Sequence, residues 1–279
     1  MNTCTILITP EMAKKWLENN PNNRPVKMKR VEAFARDMKA GNWFVTHQGI
    51  AFDTDGNLLD GQHRLFAVAL SGTPTLMNVT TGVPRETMIA VDVGTPRDMR
   101  DAIVINEMYD NDTSLRQRGC IGVLNTMLHL GYNGAQVYTN SERAKMIDKI
   151  GPELKAVWDA SSTSKAALSA PIRAAALAAV LNGENIEDIK LFFQVFSRGD
   201  TTGCFGCNTP AAFNFARYIL KAKANRMTIA RGRLYLLAQN AIYQFIRGEK
   251  QNIAKGGGNL SNFRYPVADK IKAILEGEE

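Results

Sequence analysis

Apolar residues follow two different patterns along the chain. Up to about residue 105, short apolar runs typical of β-strands alternate with stretches whose apolar residues recur at helical spacing. From residue 106 onward only the helical spacing recurs. We therefore predict an α+β protein, with a small mixed sheet and helices in residues 1–105 and an all-helical domain in residues 106–279.

Local signals place the individual elements. An Asp-Gly pair within Thr54–Asn57 supplies the positive φ of a tight hairpin turn, and Thr9 followed by Pro10 is typical of a helix start. The predicted strands are residues 5–9, 50–53, 58–59 and 75–80. The predicted helices are residues 10–18, 27–40, 62–70, 84–90, 96–105, 115–130, 140–150, 171–181, 186–196, 211–223, 231–248 and 267–275.

The segment Asp60-Gly61-Gln62-His63-Arg64, which we call the DGQHR segment, separates the hairpin from the next helix. Gly61 lets backbone approach a ligand closely, and the helix N-terminus presents unpaired N–H groups and the positive end of its dipole. Arg64 can hold a phosphate through two parallel hydrogen bonds, and Gln62 and His63 add side-chain hydrogen bonding. This spacing indicates an anion site. In the structural alternative, Asp60 caps the helix and Arg64 pairs with a surface carboxylate.

The DGQHR segment, followed by Ala67, resembles the phosphate-binding motif of ParB/sulfiredoxin-like domains, and more closely the DGQHR-containing phage and bacterial proteins of that superfamily. The preceding helix, Gly41-Asn42-Trp43 and the hairpin extend the resemblance over roughly residues 20–105. The resemblance implies a ParB/sulfiredoxin-like fold that opens a helix over a nucleotide phosphate. Sulfiredoxin carries a cysteine near the position of Gln62, so its activity is not implied. The base of the nucleotide stays open, because Gln62 and His63 depart from the Gly-Glu-Arg-Arg of CTP-binding relatives.

The resemblance also implies roles for residues outside the DGQHR segment. Glu32 lies on the helix where kinase members of the superfamily carry a general base. Thr46 and Gln48 precede the hairpin, where they would border the same cofactor pocket.

A second polar segment, Asp92 to Arg97, lies where a predicted strand passes into a helix, a position at which open α/β sheets bind ligands. We hypothesise that Arg97 and Arg64 face one nucleoside triphosphate while Asp60 or Asp92 holds Mg²⁺ beside it. If the nucleotide is hydrolysed, Asp60, Asp92 or Glu32 would hold the metal or position water. In the structural alternative, Asp92 caps a helix or pairs with Arg97.

The charge balance is consistent with an acidic partner, since 34 basic and 27 acidic residues give a net charge of +7. The basic face of the helix at residues 27–40 is interpreted as a solvated surface. The strongest basic concentration instead predicts contact with the DNA backbone. It comprises Arg217, Lys221, Lys223, Arg226, Arg231 and Arg233.

Other features narrow the class of protein. Four cysteines in 279 residues do not form a disulfide framework, and the Cys204–Cys207 pair lacks the second pair that a zinc site needs. No signal peptide or membrane-spanning stretch is evident, which predicts a soluble, cytoplasmic protein, in the host cytoplasm if it is phage-encoded.

These patterns predict a DNA-associated, nucleotide-binding ParB-like protein of phage type, with nucleotide hydrolysis and homo-oligomerisation left open. One alternative is a nuclease or a nucleotide-dependent phosphotransferase that uses the same site. Another is a non-catalytic regulator or host-takeover protein in which the site is only structural.

Overall fold

The computed structural model describes residues 1–21, 23, 25–90, 99, 103, 115, 118–162, 169–198, 211–249 and 263–277. The predictions for Asp92, Arg97, Cys204 and Cys207, and for most of the helix at residues 96–105, fall outside these residues.

The chain divides into two compact units. Unit 1 comprises Met1–Pro96 together with Ala135–Arg143, and unit 2 comprises Arg97–Gly134 together with Ala144–Glu279. The sequence assigns residues 135–143 to the helical region, whereas the structure counts them with unit 1. We call Ala135–Arg143 the 135–143 segment.

Unit 1 contains a mixed four-stranded sheet and three α-helices. Its elements are β1 (Asn2–Ile8), α1 (Pro10–Glu18), α2 (Met28–Lys39), β2 (Ile50–Asp53), β3 (Leu58–Asp60), α3 (Gln62–Ser71), β4 (Thr75–Val83) and a 3₁₀ helix (Arg85–Ala90). The strand order is β1-β4-β2-β3. The β4–β2 pair is parallel and the two outer pairs are antiparallel. The predicted α+β class with a small mixed sheet is confirmed.

One face of the sheet and the three helices share a hydrophobic core. Thr9 starts α1 as predicted, because its Oγ1 accepts a hydrogen bond from the Met12 N–H at 3.2 Å. Leu7 and Leu76 face each other across β1 and β4 on the exposed face. The buried core contains Ile8, Ala13, Val31, Ala35, Met38, Ile50, Phe52, Leu58, Leu65, Ala67, Val68, Met77 and Val79.

Asp53 fixes the hairpin that leads into the DGQHR segment. Its buried carboxylate accepts hydrogen bonds from the backbone N–H groups of Asp55 (2.9 Å) and Asn57 (2.7 Å), and Arg85 lies 3.4 Å away. Burial alone would raise the pKa of Asp53, but the hydrogen bonds and the charge of Arg85 outweigh it and hold the pKa below its ordinary value. Gly56 takes the predicted positive φ, at +81°.

Unit 2 is helical throughout its described part. Its helices are α4 (Arg118–Gly131), α5 (Asn140–Ser162), α6 (Ala170–Leu181), α7 (Ile186–Arg198), α8 (Ala211–Ala224), α9 (Arg231–Ile246) and α10 (Ala268–Glu276), with the first four residues of α5 counted in unit 1. Residues 174–179 of α6 are fully buried, and this alanine-rich helix packs against α4 and α9. None of the described helices is long and apolar enough to span a membrane.

Candidate functional site: a basic pocket in unit 1

The glycine of the DGQHR segment is required by the packing of the chain itself. Gly61 is the N-cap residue of α3 and has φ +97°, a conformation that other residues adopt only with strain. A Cβ atom at this position would lie 2.5 Å from Ile50 Cδ1 and 3.1 Å from the Gly49 carbonyl oxygen. Because Gly61 occupies the N-cap, the alternative in which Asp60 caps the helix is wrong.

Gln62 and His63 are buried and hold the loop between α1 and α2. The Gln62 Oε1 accepts a hydrogen bond from Asn20 Nδ2 at 3.3 Å. The His63 Nε2 accepts one from the Lys27 backbone N–H at 3.0 Å, so this nitrogen is the unprotonated one in the neutral ring. Both side chains, predicted to bind a cofactor, therefore make contacts that stabilise the fold.

Arg64 is the residue of the DGQHR segment that reaches the pocket. Its Nη1 donates to the Gly49 carbonyl oxygen at 2.9 Å and lies 3.4 Å from Asp60 Oδ2, and its Nη2 lies 3.4 Å from Gln48 Oε1. The side chain keeps 15% of its surface exposed. Asp60, predicted to hold metal, is thus an ion-pair partner that orients the Arg64 guanidinium.

A pocket with a volume of about 840 Å³ lies within unit 1. Among the described residues, its lining combines basic side chains, one carboxylate and aromatic rings. The basic residues are Lys27, Lys29, Arg30, Arg64 and Arg143, the carboxylate is Asp37, and the rings belong to Phe34, Trp43, Phe44 and Tyr138. Thr46 and Gln48 also line it, as the sequence predicts. This volume and mixture of groups are typical of sites for small anionic ligands with an apolar portion.

The N-terminus of α2 concentrates positive charge at the pocket. Lys27 occupies the N-cap without a side-chain capping hydrogen bond, and the first turn holds no acidic residue. Lys27, Lys29 and Arg30 are exposed, and in the described part of the chain none of them pairs with a carboxylate. Cations at the positive end of a helix dipole are destabilising, and a bound anion would relieve this repulsion. The predicted solvated surface is therefore also a wall of the pocket.

The aromatic rings form the apolar part of the pocket. Phe34 and Trp43 meet edge to face, with ring centroids 5.5 Å apart. The Arg30 guanidinium lies 5.4 Å from the centre of the Phe34 ring, a cation–π contact. The rings thus lie directly beside the basic groups.

The 135–143 segment completes the pocket and is fastened to α2. Arg36 Nε and Nη2 hold the Glu142 carboxylate at 2.7 and 3.2 Å, and Thr139 Oγ1 donates to Asp37 Oδ1 at 2.9 Å. Thr139 and Glu142 also cap α5 reciprocally, through Glu142 N–H to Thr139 Oγ1 at 3.1 Å and Thr139 N–H to Glu142 Oε2 at 2.8 Å. These contacts place Arg143 in the lining, where burial lowers the pKa of its guanidinium.

Two of the predicted catalytic and metal-binding residues, Glu32 and Asp60, are placed by the structure outside this lining. Glu32 is exposed, and neither it nor Asp60 lines the pocket. Asp37, the carboxylate that does, already accepts a hydrogen bond from Thr139. The described residues contain no group of three or more His, Cys, Asp or Glu side chains that could hold a metal ion. Asp92 and Arg97 fall outside the described residues.

The predicted DNA-contacting residues lie on the surface of unit 2. All six are exposed, in the middle and at the end of α8, in the connection that follows and in the first turn of α9. Arg231 donates to Thr126 Oγ1 at 3.0 Å, and Arg217 lies over the Phe213 ring at 5.6 Å. In the described part of the chain, no carboxylate pairs with any of the six. We call Arg217, Lys221, Lys223, Arg226, Arg231 and Arg233 the unit 2 basic surface.

No protein-family model, no curated protein and no solved structure matches this chain. Its functional interpretation therefore depends on the chemistry of the pocket and of the unit 2 basic surface.

Proposed function

We propose that the protein binds a nucleotide in the pocket of unit 1 and contacts DNA through the unit 2 basic surface. The observation that carries this proposal is the pocket lining, in which five basic side chains and one carboxylate surround a cluster of aromatic rings. Basic groups of this density favour a phosphate-bearing ligand, and the adjoining rings favour one with a planar base. The ParB/sulfiredoxin-like resemblance of the DGQHR segment supports the same class of ligand.

In the proposed complex, basic groups hold the phosphates and an aromatic ring holds the base. Arg64, held by the Gly49 carbonyl oxygen and Asp60, presents a guanidinium oriented before the ligand arrives. Lys29 and Arg30 add charge at the uncapped end of α2, where backbone N–H groups also favour an anion. The base then stacks on the Trp43 ring. This arrangement binds and orients a nucleotide with the side chains of unit 1 alone.

The described residues favour binding over hydrolysis, cleavage or phosphoryl transfer. A nucleoside triphosphate fits the charge of the lining. The described part of the pocket supplies no carboxylate pair for the Mg²⁺ that the resemblance implies, because Asp60 is paired with Arg64 and Asp37 with Thr139. We therefore propose a nucleotide-binding DNA-associated protein.

Thermal melting with ATP, CTP, GTP and UTP tests the nucleotide proposal. A ligand that binds only the folded state stabilises it by about 2.7 kcal/mol at a hundredfold excess over Kd. We expect at least one nucleotide to raise the melting temperature. Arg64→Ala should weaken its binding about 10- to 100-fold, which corresponds to loss of a charged hydrogen bond. Arg264→Ala, which removes an exposed arginine outside the pocket lining and the unit 2 basic surface, is the matched control. A wild-type affinity in Arg64→Ala protein would refute the proposed pocket.

The DNA contact is tested by the salt dependence of duplex binding. Each phosphate contact contributes about 0.9 to the slope of log affinity against log salt. A triple variant, Lys221→Ala, Arg226→Ala and Arg233→Ala, should therefore lower the slope by up to about 2.7. Lys190→Ala removes an exposed lysine already paired with Glu187 and should leave the slope unchanged. An unchanged slope in the triple variant would place the DNA contact elsewhere.

A further inference from the structure

The unit 1 pocket carries exposed apolar side chains, and we call the part of the lining that they form its mouth. Phe44, Met28 and Val137 line the pocket and are 74%, 50% and 43% exposed. A mononucleotide held by the inner rings and basic groups would leave the Phe44 ring in water. An exposed ring beside basic groups is the arrangement with which proteins stack the bases of a single strand. The mouth therefore fits a ligand that continues outward.

The basic groups of the pocket are distributed over three separate parts of unit 1. Lys27, Lys29 and Arg30 lie at the start of α2, Arg64 lies on α3, and Arg143 lies on the 135–143 segment. A polynucleotide carries one negative charge per nucleotide along its length, so its charge is distributed in the same way. Asp37, the one carboxylate among the described lining residues, is buried and hydrogen-bonded. Charge complementarity therefore favours a strand with successive phosphates.

We infer that the nucleotide in this pocket belongs to a single-stranded nucleic acid, with one base on Trp43 and the next on Phe44. The inference rests on the proposed function, which it narrows from nucleotides in general to polynucleotides. The backbone passes the basic groups at the start of α2 and leaves across the exposed apolar mouth. Base stacking on an aromatic ring is independent of sequence, since every base has a planar face.

An acidic peptide would also satisfy the charge but fits the lining less well. Peptides are commonly bound by pairing with a free strand edge or by a helix that fills an apolar groove. The lining residues that the structure describes lie on α2, α3, α5 or the connections beside them, and none of these lies on β1–β4. The basic groups also interrupt the apolar part of the lining.

The test compares oligothymidylates of increasing length, from the mononucleotide to roughly eight nucleotides. It uses the full chain with Lys221→Ala, Arg226→Ala and Arg233→Ala, so that the unit 2 basic surface does not dominate binding. Fluorescence anisotropy of labelled oligonucleotides, with unlabelled mononucleotide as competitor, gives the affinities. We expect the longest strand to bind at least about tenfold more tightly than the mononucleotide, which corresponds to one additional stacked base.

The Phe44→Ala variant separates the inference from the proposed function. It should lower the ratio of oligonucleotide affinity to mononucleotide affinity about 5- to 100-fold. Leu76→Ala, which removes a 49% exposed side chain of β4 outside the lining, should change neither affinity. Lys29→Ala should lower the salt slope for the oligonucleotide by about 0.7.

Three outcomes would overturn the inference while leaving the proposed function in place. The first is equal affinity for the mononucleotide and the oligonucleotide, with no effect of Phe44→Ala. The second is equal affinity for a single strand and for a duplex of the same length. The third is displacement of the labelled oligonucleotide by polyglutamate at a lower concentration than by unlabelled strand. Failure of the mononucleotide and the oligonucleotide alike to bind, with no effect of Arg64→Ala, would instead remove the proposed function itself.

Discussion

Two helices of unit 1 begin in opposite ways. At the N-terminus of α3 the chain's own atoms fill the available space. Gly61 packs on Ile50, and the Gln62 and His63 side chains accept hydrogen bonds from the loop between α1 and α2. At the N-terminus of α2 no side chain caps the helix, and Lys27 and Lys29 are exposed beside the pocket. The comparison separates two uses of polar residues. Those of the DGQHR segment other than Arg64 mainly maintain the fold, and those of α2 line the pocket proposed to bind an anion.

The largest change in the free energy of unfolding is expected for a substitution at Gly61, at the start of α3. Gly61→Ala introduces strain at positive φ together with a Cβ atom 2.5 Å from Ile50 Cδ1. We expect the free energy of unfolding in urea to fall by about 2–4 kcal/mol. Gly56→Ala is the matched control, because Gly56 has φ +81° and nothing lies within 4 Å of its added Cβ. Its loss should be only about 1–2 kcal/mol. Equal losses would show that packing at Gly61 contributes nothing.

A smaller loss of stability is expected at His63. His63→Ala removes the acceptor of the Lys27 backbone N–H, and an unpaired buried donor costs about 1–3 kcal/mol. Urea unfolding measures this loss. The exposed His47 supplies the control, and His47→Ala should alter stability by less than about 0.5 kcal/mol. If His63→Ala protein kept wild-type stability but lost nucleotide binding, the structural role assigned to this residue would be wrong.

The smallest effect, and one of opposite sign, is expected at α2. Lys29→Glu places a negative charge at the positive end of the helix dipole and should raise the free energy of unfolding by about 0.3–1 kcal/mol. The same change should weaken nucleotide binding about 10- to 100-fold. Isothermal calorimetry and urea unfolding measure the two quantities. Lys39→Glu, in the last turn of α2, should lower stability and leave affinity unchanged. A loss of stability in Lys29→Glu protein would show that the helix dipole does not favour a negative charge at this position.

The elements predicted from local signals agree with the structure. Thr9 and Pro10 start α1, and the Asp-Gly turn joins β2 to β3, because both signals act through neighbouring residues. Helix ends were less predictable. α5 continues to Ser162 although Pro152 lies inside it, since Leu154 and Val157 beyond the proline are fully buried and tertiary packing outweighs the lost hydrogen bond. The phenylalanines of α7 are core residues, as predicted.

The candidate site was only partly predictable. Arg64, Thr46 and Gln48 were found through the DGQHR segment and its flanks. Arg143 was missed because the 135–143 segment joins α2 through contacts between residues about a hundred positions apart, such as Thr139 with Asp37, separated by 102 residues. The Thr139-x-x-Glu142 pattern was the available local signal, since a capping box fixes where α5 begins. This pattern predicts where α5 begins, but it does not predict that the start of α5 contacts α2.

The ion pair between Arg36 and Glu142 has a consequence during synthesis of the chain. These residues are 106 positions apart, so at about 5–20 residues per second the ribosome delivers Glu142 roughly 5–20 s after Arg36. The sheet and α1–α3 are all translated before that moment. A nascent chain therefore passes through a period in which unit 1 has its strands and its DGQHR segment but no closed pocket. The pocket closes about halfway through translation of the 279 residues, after the sheet and α1–α3 have been made.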